Sequence, residues 1–185
     1  MLRRLARLFT LKALAKDERG VSAIEFAMVA PILIMAYLGL AELTLGMMAS
    51  RRTSHLAATI GDLAAQSENL TSANINDLWA IGNSMLEPFS TTPLQMRLTC
   101  VTMVSNVATV QWSHGKGGLA DRTGSVPEIT TAQISNGESL IMTEVKYTYT
   151  SPFGNFLPTV FPGQRNFSEV FYHHPRNGAM VTNTG

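Results

Sequence analysis

Glu25 is the residue of this 185-residue chain whose type and position most need a chemical explanation. It heads a long apolar run: no charge occurs from Phe26 to Ala41, and after Glu42 the run resumes through Leu43–Ala49. A carboxylate at the start of such a run is costly, and an anchor alone has no use for it. Five residues earlier Gly20 closes a basic segment, giving Arg19-Gly20-Val21-Ser22-Ala23-Ile24-Glu25-Phe26. The other candidates for chemistry are weak. Cys100 is the single cysteine, and its setting among β-branched residues predicts a small buried hydrophobe. His173 and His174 are adjacent, so on a strand they point to opposite faces and chelate poorly. His55 and His114 are isolated, and no Cys/His spacing resembles a zinc site. Gly-x-Ser-x-Gly and His-Glu-x-x-His are absent. Glu144 and Glu169 both fall in strand-like stretches, where an acid pair depends on register. His114-Gly115-Lys116-Gly117-Gly118 lacks the Lys-Ser/Thr spacing of a phosphate loop. The reading is non-catalytic, with no metal and no cofactor.

The elements that would position Glu25 follow from charge and period. Phe26–Ala49 as an α-helix spans about 36 Å, enough to cross a hydrocarbon core of ~30 Å with some tilt. Residues 1–20 carry six Lys/Arg against two Asp/Glu, a net of +4; residues 21–185 carry eight against eleven, a net of −3. The basic end therefore belongs in the cytoplasm and the C-terminal part outside, with only Arg51 and Arg52 flanking the outer end of the span. A slightly acidic exported domain without basic clusters argues against nucleic-acid binding. The segment from Met1 to Lys16 is basic and amphipathic, suited to contact with anionic lipid. An organellar presequence or a twin-arginine signal at Arg3-Arg4 are weaker readings, because the apolar run far exceeds the ~7–15 residues of a signal-peptide core. Pro31 interrupts the helix, and Ala36, Gly39 and Gly46 offer close approach to another helix. Glu42, about 26 Å beyond Glu25 along the axis, is expected near the outer interface as a structural residue.

Beyond the span, Leu56, Ile60, Leu63 and Ala64 continue a helical period as far as Gln66. A break at Ser67–Ser72 precedes a second helix, capped by Ser72 or Asn74, with Ile75, Leu78, Trp79, Gly82, Met85 and Leu86 on one stripe and Glu87-Pro88 as its end. Trp79 reads as core. Met96–Val104 and Asn106–Trp112 suggest a hairpin about Ser105-Asn106. Ser113–Ser125, with four glycines, reads as a loop. Leu140–Thr150 is a strand with Ile141, Val145, Tyr147 and Tyr149 on one face, and Asn166–Tyr172 is a last strand. The predicted fold class is α+β: a long N-terminal transmembrane helix continuing into a domain with a second helix and an antiparallel sheet. The divisions are a basic cytoplasmic leader (1–20), the span (21–49), an extracytoplasmic helical part (50–92), a β-rich part (93–172) and a flexible polar tail (173–185).

The opening Arg19–Phe26 followed by the long helix resembles the class III signal of type IV pilins. With Gly20-Val21-Ser22-Ala23-Ile24-Glu25-Phe26-Ala27, Ala30-Pro31, Asp62-Leu63-Ala64-Ala65-Gln66-Ser67, Val110-Gln111-Trp112-Ser113 and Val145-Lys146-Tyr147-Thr148-Tyr149, the chain is similar to TadE-type minor pilins, or pseudopilins, of the Tad (tight-adherence, Flp) pilus systems. The resemblance implies cleavage by a prepilin peptidase between Gly20 and Val21, with Glu25 at mature position five and Phe26 beside it as the assembly and docking residues. Gly20, lacking a side chain, lets extended backbone enter a protease cleft. Glu25 of one helix could then meet the new Val21 amine of its neighbour, each offsetting the other's desolvation. Phe26 stands where that branch often has tyrosine. The implied partners are the peptidase, the major Flp-type pilin and other minor pilins, and the inner-membrane pilus platform. The implied location is the bacterial inner membrane, single-pass, with the C-terminal domain periplasmic or in the pilus. The competing expectation is an uncleaved single-pass envelope protein whose outer domain binds a partner.

Overall fold

A computed structural model of the protein describes residues 19–154, 163–178 and 180–184. The leader therefore lies largely outside the described residues, as does most of the apolar Phe153–Pro162 segment. The chain divides into two compact units, one ending at Leu43 and the other running from Thr44 to Gly185. The first contains the start of helix α1, which runs Arg19–Gln66 with Pro31 inside it. Pro31 does not end the helix.

In the second unit α1 has one buried stripe. Ala49, Thr53, Leu56, Ala57, Ile60 and Ala64 recur at 4, 7, 8, 11 and 15 residues from the first and are fully buried, the spacing of a single helix face. Thr53, the polar member, donates its hydroxyl to the Ala49 carbonyl at 2.9 Å, so it enters the core satisfied. Helix α2 (Ser72–Leu86) buries Ile75, Leu78, Trp79, Gly82 and Leu86. Its cap is neither Ser72 nor Asn74 but Thr71. The Asn74 N–H donates to Thr71 Oγ1 at 3.2 Å, and the Thr71 N–H donates to Asn74 Oδ1 at 3.0 Å. Thr71 has the extended backbone an N-cap requires, and its three-residue spacing from Asn74 lets each side chain satisfy the other's backbone.

Strands β2 (Leu94–Val104), β3 (Val107–Lys116), β4 (Ser139–Thr150) and β5 (Gln164–His173) form an antiparallel sheet in the order β3-β2-β4-β5. Ser105 and Asn106 join the hairpin with φ of 50° and 65°, the left-handed pair of a two-residue type I′ turn. Strand β3 runs four residues beyond the predicted Trp112, because Ser113–Lys116 pairs with Thr99–Met96. On one sheet face Leu98, Cys100, Ile141, Val145, Tyr147 and Tyr149 pack with both helices. The other face is also buried. Leu140, Met142, Val101 and Met103 meet Val126, Ile129 and Ile134 from the β3–β4 connection, which folds back as a cover.

That cover is fastened by charge. Arg97 donates to Glu144 twice, from Nε at 2.6 Å and from Nη2 at 2.8 Å. Arg122 in the connection donates to Glu144 at 2.9 Å and to Glu128 at 3.1 Å. Burial pushes the Glu144 carboxyl up, but the bonds from Arg97 and Arg122 outweigh it and hold the group below the usual carboxylate range.

The C-terminal segment is tied down rather than frayed. A short strand β6 (Thr182–Asn183) pairs in parallel with β1 (Asn69–Leu70). The Trp112 indole donates to the Val181 carbonyl at 2.7 Å, and Val181 is buried. Composition suggested a loose tail, but backbone hydrogen bonding does not depend on apolar side chains.

At Gly61 α1 approaches the sheet too closely for a side chain. A Cβ there would lie 2.5 Å from both Thr143 Oγ1 and His173 Nδ1. Gly61→Ala should therefore destabilise the protein by about 1–3 kcal/mol through overpacking, read as a lower denaturation midpoint of the detergent-solubilised protein. Glu144→Ala should destabilise by about 2–4 kcal/mol, because it leaves the largely buried Arg97 guanidinium without a carboxylate and Arg122 with Glu128 alone. The folded carboxyl sits below its unfolded value, so its contribution is complete above the ordinary carboxylate range and fades as pH falls through and below that range. A pH series of melting curves should accordingly be flatter at its acid end for Glu144→Ala than for the parent chain.

Candidate functional site

The first turns of α1 carry the four residues singled out from the sequence. Gly20 lies in open space: a Cβ built on it meets nothing within 4 Å. Val21 and Glu25 are four residues apart and share a helix face. Phe26 is the next residue round, 72% exposed. All four are exposed, and no hydrogen bond or ion pair among the described residues joins them to another element.

The helix surface that follows is unusual for a protein in water. Ile32, Leu33, Ile34 and Met35 are consecutive, and each is exposed. Four successive residues at about 100° apiece go round the whole circumference, so every side of this stretch is apolar and exposed. Met28, Val29, Tyr37 and Leu40 extend it. The helix is long and apolar enough to cross a membrane. Lipid or other apolar helices are the surroundings that such a surface fits. Glu42 behaves differently from a solvated interface residue: it is 2% exposed.

The remaining candidates fall into structural roles. Cys100 is buried in the core between the helices and the sheet, and burial pushes its thiol up to about 12. Glu144 and Glu169 do not form an acid pair. In the β4–β5 register Val145 faces Glu169 and Glu144 faces Val170, so the two carboxylates point to opposite sides of the sheet. His173 lies against the helix at Gly61; burial pulls its imidazole down, the Asp62 carboxylate opposes this, and the Arg176 guanidinium reinforces it. Asp62 is itself paired with Arg176, which holds its carboxyl below the usual range. Among the described residues no group of three or more His, Cys, Asp or Glu side chains gathers.

Two further features differ in how far local sequence signals them. The Arg97–Glu144–Arg122–Glu128 network joins residues far apart in the chain and left no local signal. The face of α1 carrying Met47, Met48, Arg51, Arg52 and His55 did leave one, a helical period running from methionine into basic residues.

Residues 20–61 match a family model described as TadE-like protein. No curated protein and no solved structure matches the chain. The family match covers the apolar run and the residues of α1 that follow it as far as Gly61, and includes the opening on which the resemblance is most specific.

A raised thiol pKa in a closed core makes a concrete expectation. At neutral pH a maleimide should leave Cys100 unmodified in the folded protein and label it fully in denaturant, with intact mass as the readout. Labelling of the folded chain at the rate of a free thiol would contradict the burial of Cys100.

Proposed function

We propose that this chain, TadE-like over residues 20–61, is a non-catalytic minor pilin or pseudopilin that supports assembly of a Tad-type pilus used for surface adherence. The observation that carries the reading is an uncovered apolar helix headed by one exposed carboxylate, within the stretch that the family match covers. A helix apolar on every side is suited to lipid before assembly and to a bundle of like helices after it. Exchange between those two surroundings requires little change in hydrophobic free energy, because neither contains water.

In this reading a prepilin peptidase cleaves between Gly20 and Val21. The exposed setting of Gly20 suits access by a membrane enzyme, although helical backbone there has to open into an extended strand before cleavage. Cleavage leaves an ammonium group at Val21. Glu25 then has two roles: in lipid it is a charge held close to the interface, and in an assembly it pairs with the Val21 amine of an adjacent subunit. The attraction is strong where water is excluded, so it selects axial register between helices that are otherwise uniformly greasy. Phe26 next to it packs against the neighbouring helix. The N-terminus faces the cytoplasm, and the sheet-bearing unit lies in the periplasm or in the filament, consistent with the basic leader. The partners are the peptidase, the major Flp-type pilin with other minor pilins, and the membrane platform.

The mass of the membrane-extracted protein tests the processing step. A start at Val21 is expected when the cognate peptidase is co-expressed, and a start at Met1 when it is absent. A start at Met1 in both cases would leave an uncleaved anchored protein. Glu25→Leu should keep membrane insertion and cleavage but lose incorporation into pili by at least about tenfold, roughly the loss of one charge pair in a dry setting. Undiminished pilus assembly by Glu25→Leu would remove the docking role.

A further inference from the structure

In the unit that begins at Thr44, the exposed face of α1 and the end of α2 enclose a groove of about 780 Å³. Its lining is chiefly three methionines, Met47, Met48 and Met85, and three basic side chains, Arg51, Arg52 and His55. The volume lies within the ~300–1,000 Å³ of ordinary small-molecule clefts. The basic residues follow the methionines along the helix at intervals of three and four, so one face changes from apolar to cationic within two turns. No acidic side chain lines the groove among the described residues. Nor do Arg51 and Arg52 have a carboxylate partner among the described ion pairs. Arg52 is held in place, donating from Nη1 to the Met85 carbonyl at 3.0 Å, while Arg51 and His55 are exposed.

We infer that this groove seats the headgroup of an anionic phospholipid, its phosphate on Arg51, Arg52 and His55 and the start of its acyl chains along Met47, Met48 and Met85. The inference rests on reading α1 as a membrane span. Met47 and Met48 are among the last residues of the apolar run, and Arg51 and Arg52 are the first basic residues after it. A chain leaving a bilayer passes in the same order from hydrocarbon to phosphate. Basic residues at that level are not needed for orientation, since the rule that places positive charge on the cytoplasmic side is already met by the leader. A guanidinium pair matches phosphate oxygens in geometry as well as charge. Methionine side chains are flexible enough to follow acyl chains of varied shape. A second apolar helix on the same face would have to desolvate two arginines without compensating them, which makes it the poorer occupant. Such a lipid would hold the sheet-bearing unit against the membrane surface before assembly.

The test uses the full-length protein in detergent, mixed with equal amounts of phosphatidylglycerol and phosphatidylcholine. Lipid retained after gel filtration is quantified by mass spectrometry. Preferential retention of phosphatidylglycerol is expected, falling by about tenfold or more in Arg51→Gln/Arg52→Gln, since each basic residue near an anionic headgroup contributes about a fivefold factor. Arg51→Gln alone, at an exposed residue with no structural bond to lose, should show part of that fall with an unchanged melting curve. Equal retention of the two lipids, or an undiminished preference in both variants, would overturn the inference. So would a groove-dependent dimer, seen as a change in mass on gel filtration, that is lost in the variants without any change in lipid. Alkaline carbonate extraction of membranes from the same cells separates the two levels. Release of the protein into the aqueous fraction would overturn the membrane reading itself, whereas retention with no lipid preference would overturn only the headgroup site.

Discussion

Backbone hydrogen bonding is the constraint on which the rest of this protein depends. A single segment can enter hydrocarbon only if every N–H and C=O finds its partner within the segment, and an α-helix does that. Helix α1 therefore has a backbone suited to two kinds of surroundings, and its side chains divide the work. From Phe26 to Ala41 they carry no charge on any side; from Ala49 to Ala64 one stripe is buried. The first pattern needs no particular neighbour, while the second is specific to one sheet face.

The sheet has a comparable division. Its inner face is a conventional apolar layer against α1 and α2. Its outer face is buried too, beneath a connection that contributes Val126, Ile129 and Ile134 to a second apolar cluster. Glu144 supplies the fastening by accepting from arginines on the sheet and on the connection. A carboxylate shared by two guanidinium groups has most of its lone pairs occupied, so its partial burial is offset. The same arrangement gives Glu144 a structural role.

Electrostatics organises the two ends of the apolar run differently. Glu25 at one end is a single exposed carboxylate with apolar surface beyond it. At the other end Arg51, Arg52 and His55 gather beside methionines. Opposite charges at opposite ends of one apolar helix bear on its axial position, which apolar surface alone cannot define.

What the sequence determined by itself was whatever depends on local period and composition. The long helix, the second helix with its stripe, the hairpin about Ser105-Asn106 and the apolar face of β4 were all legible, since each is written in residues close together in the chain. The most specific part of the TadE-like resemblance, Gly20–Ala27 with Ala30-Pro31, lies within residues 20–61, which the family model matches, while the motifs at Asp62–Ser67, Val110–Ser113 and Val145–Tyr149 lie outside that match. Only the tertiary structure decided the pairings between distant residues. Register sent Glu144 and Glu169 to opposite sides of the sheet, and the folded-back connection buried a second face of β4. The C-terminal strand found its partner at Asn69–Leu70, and Gly61 proved to be where helix and sheet touch. Each joins segments whose separation in sequence exceeds any local period, and their side chains and backbone groups find one another only once the chain has closed on itself.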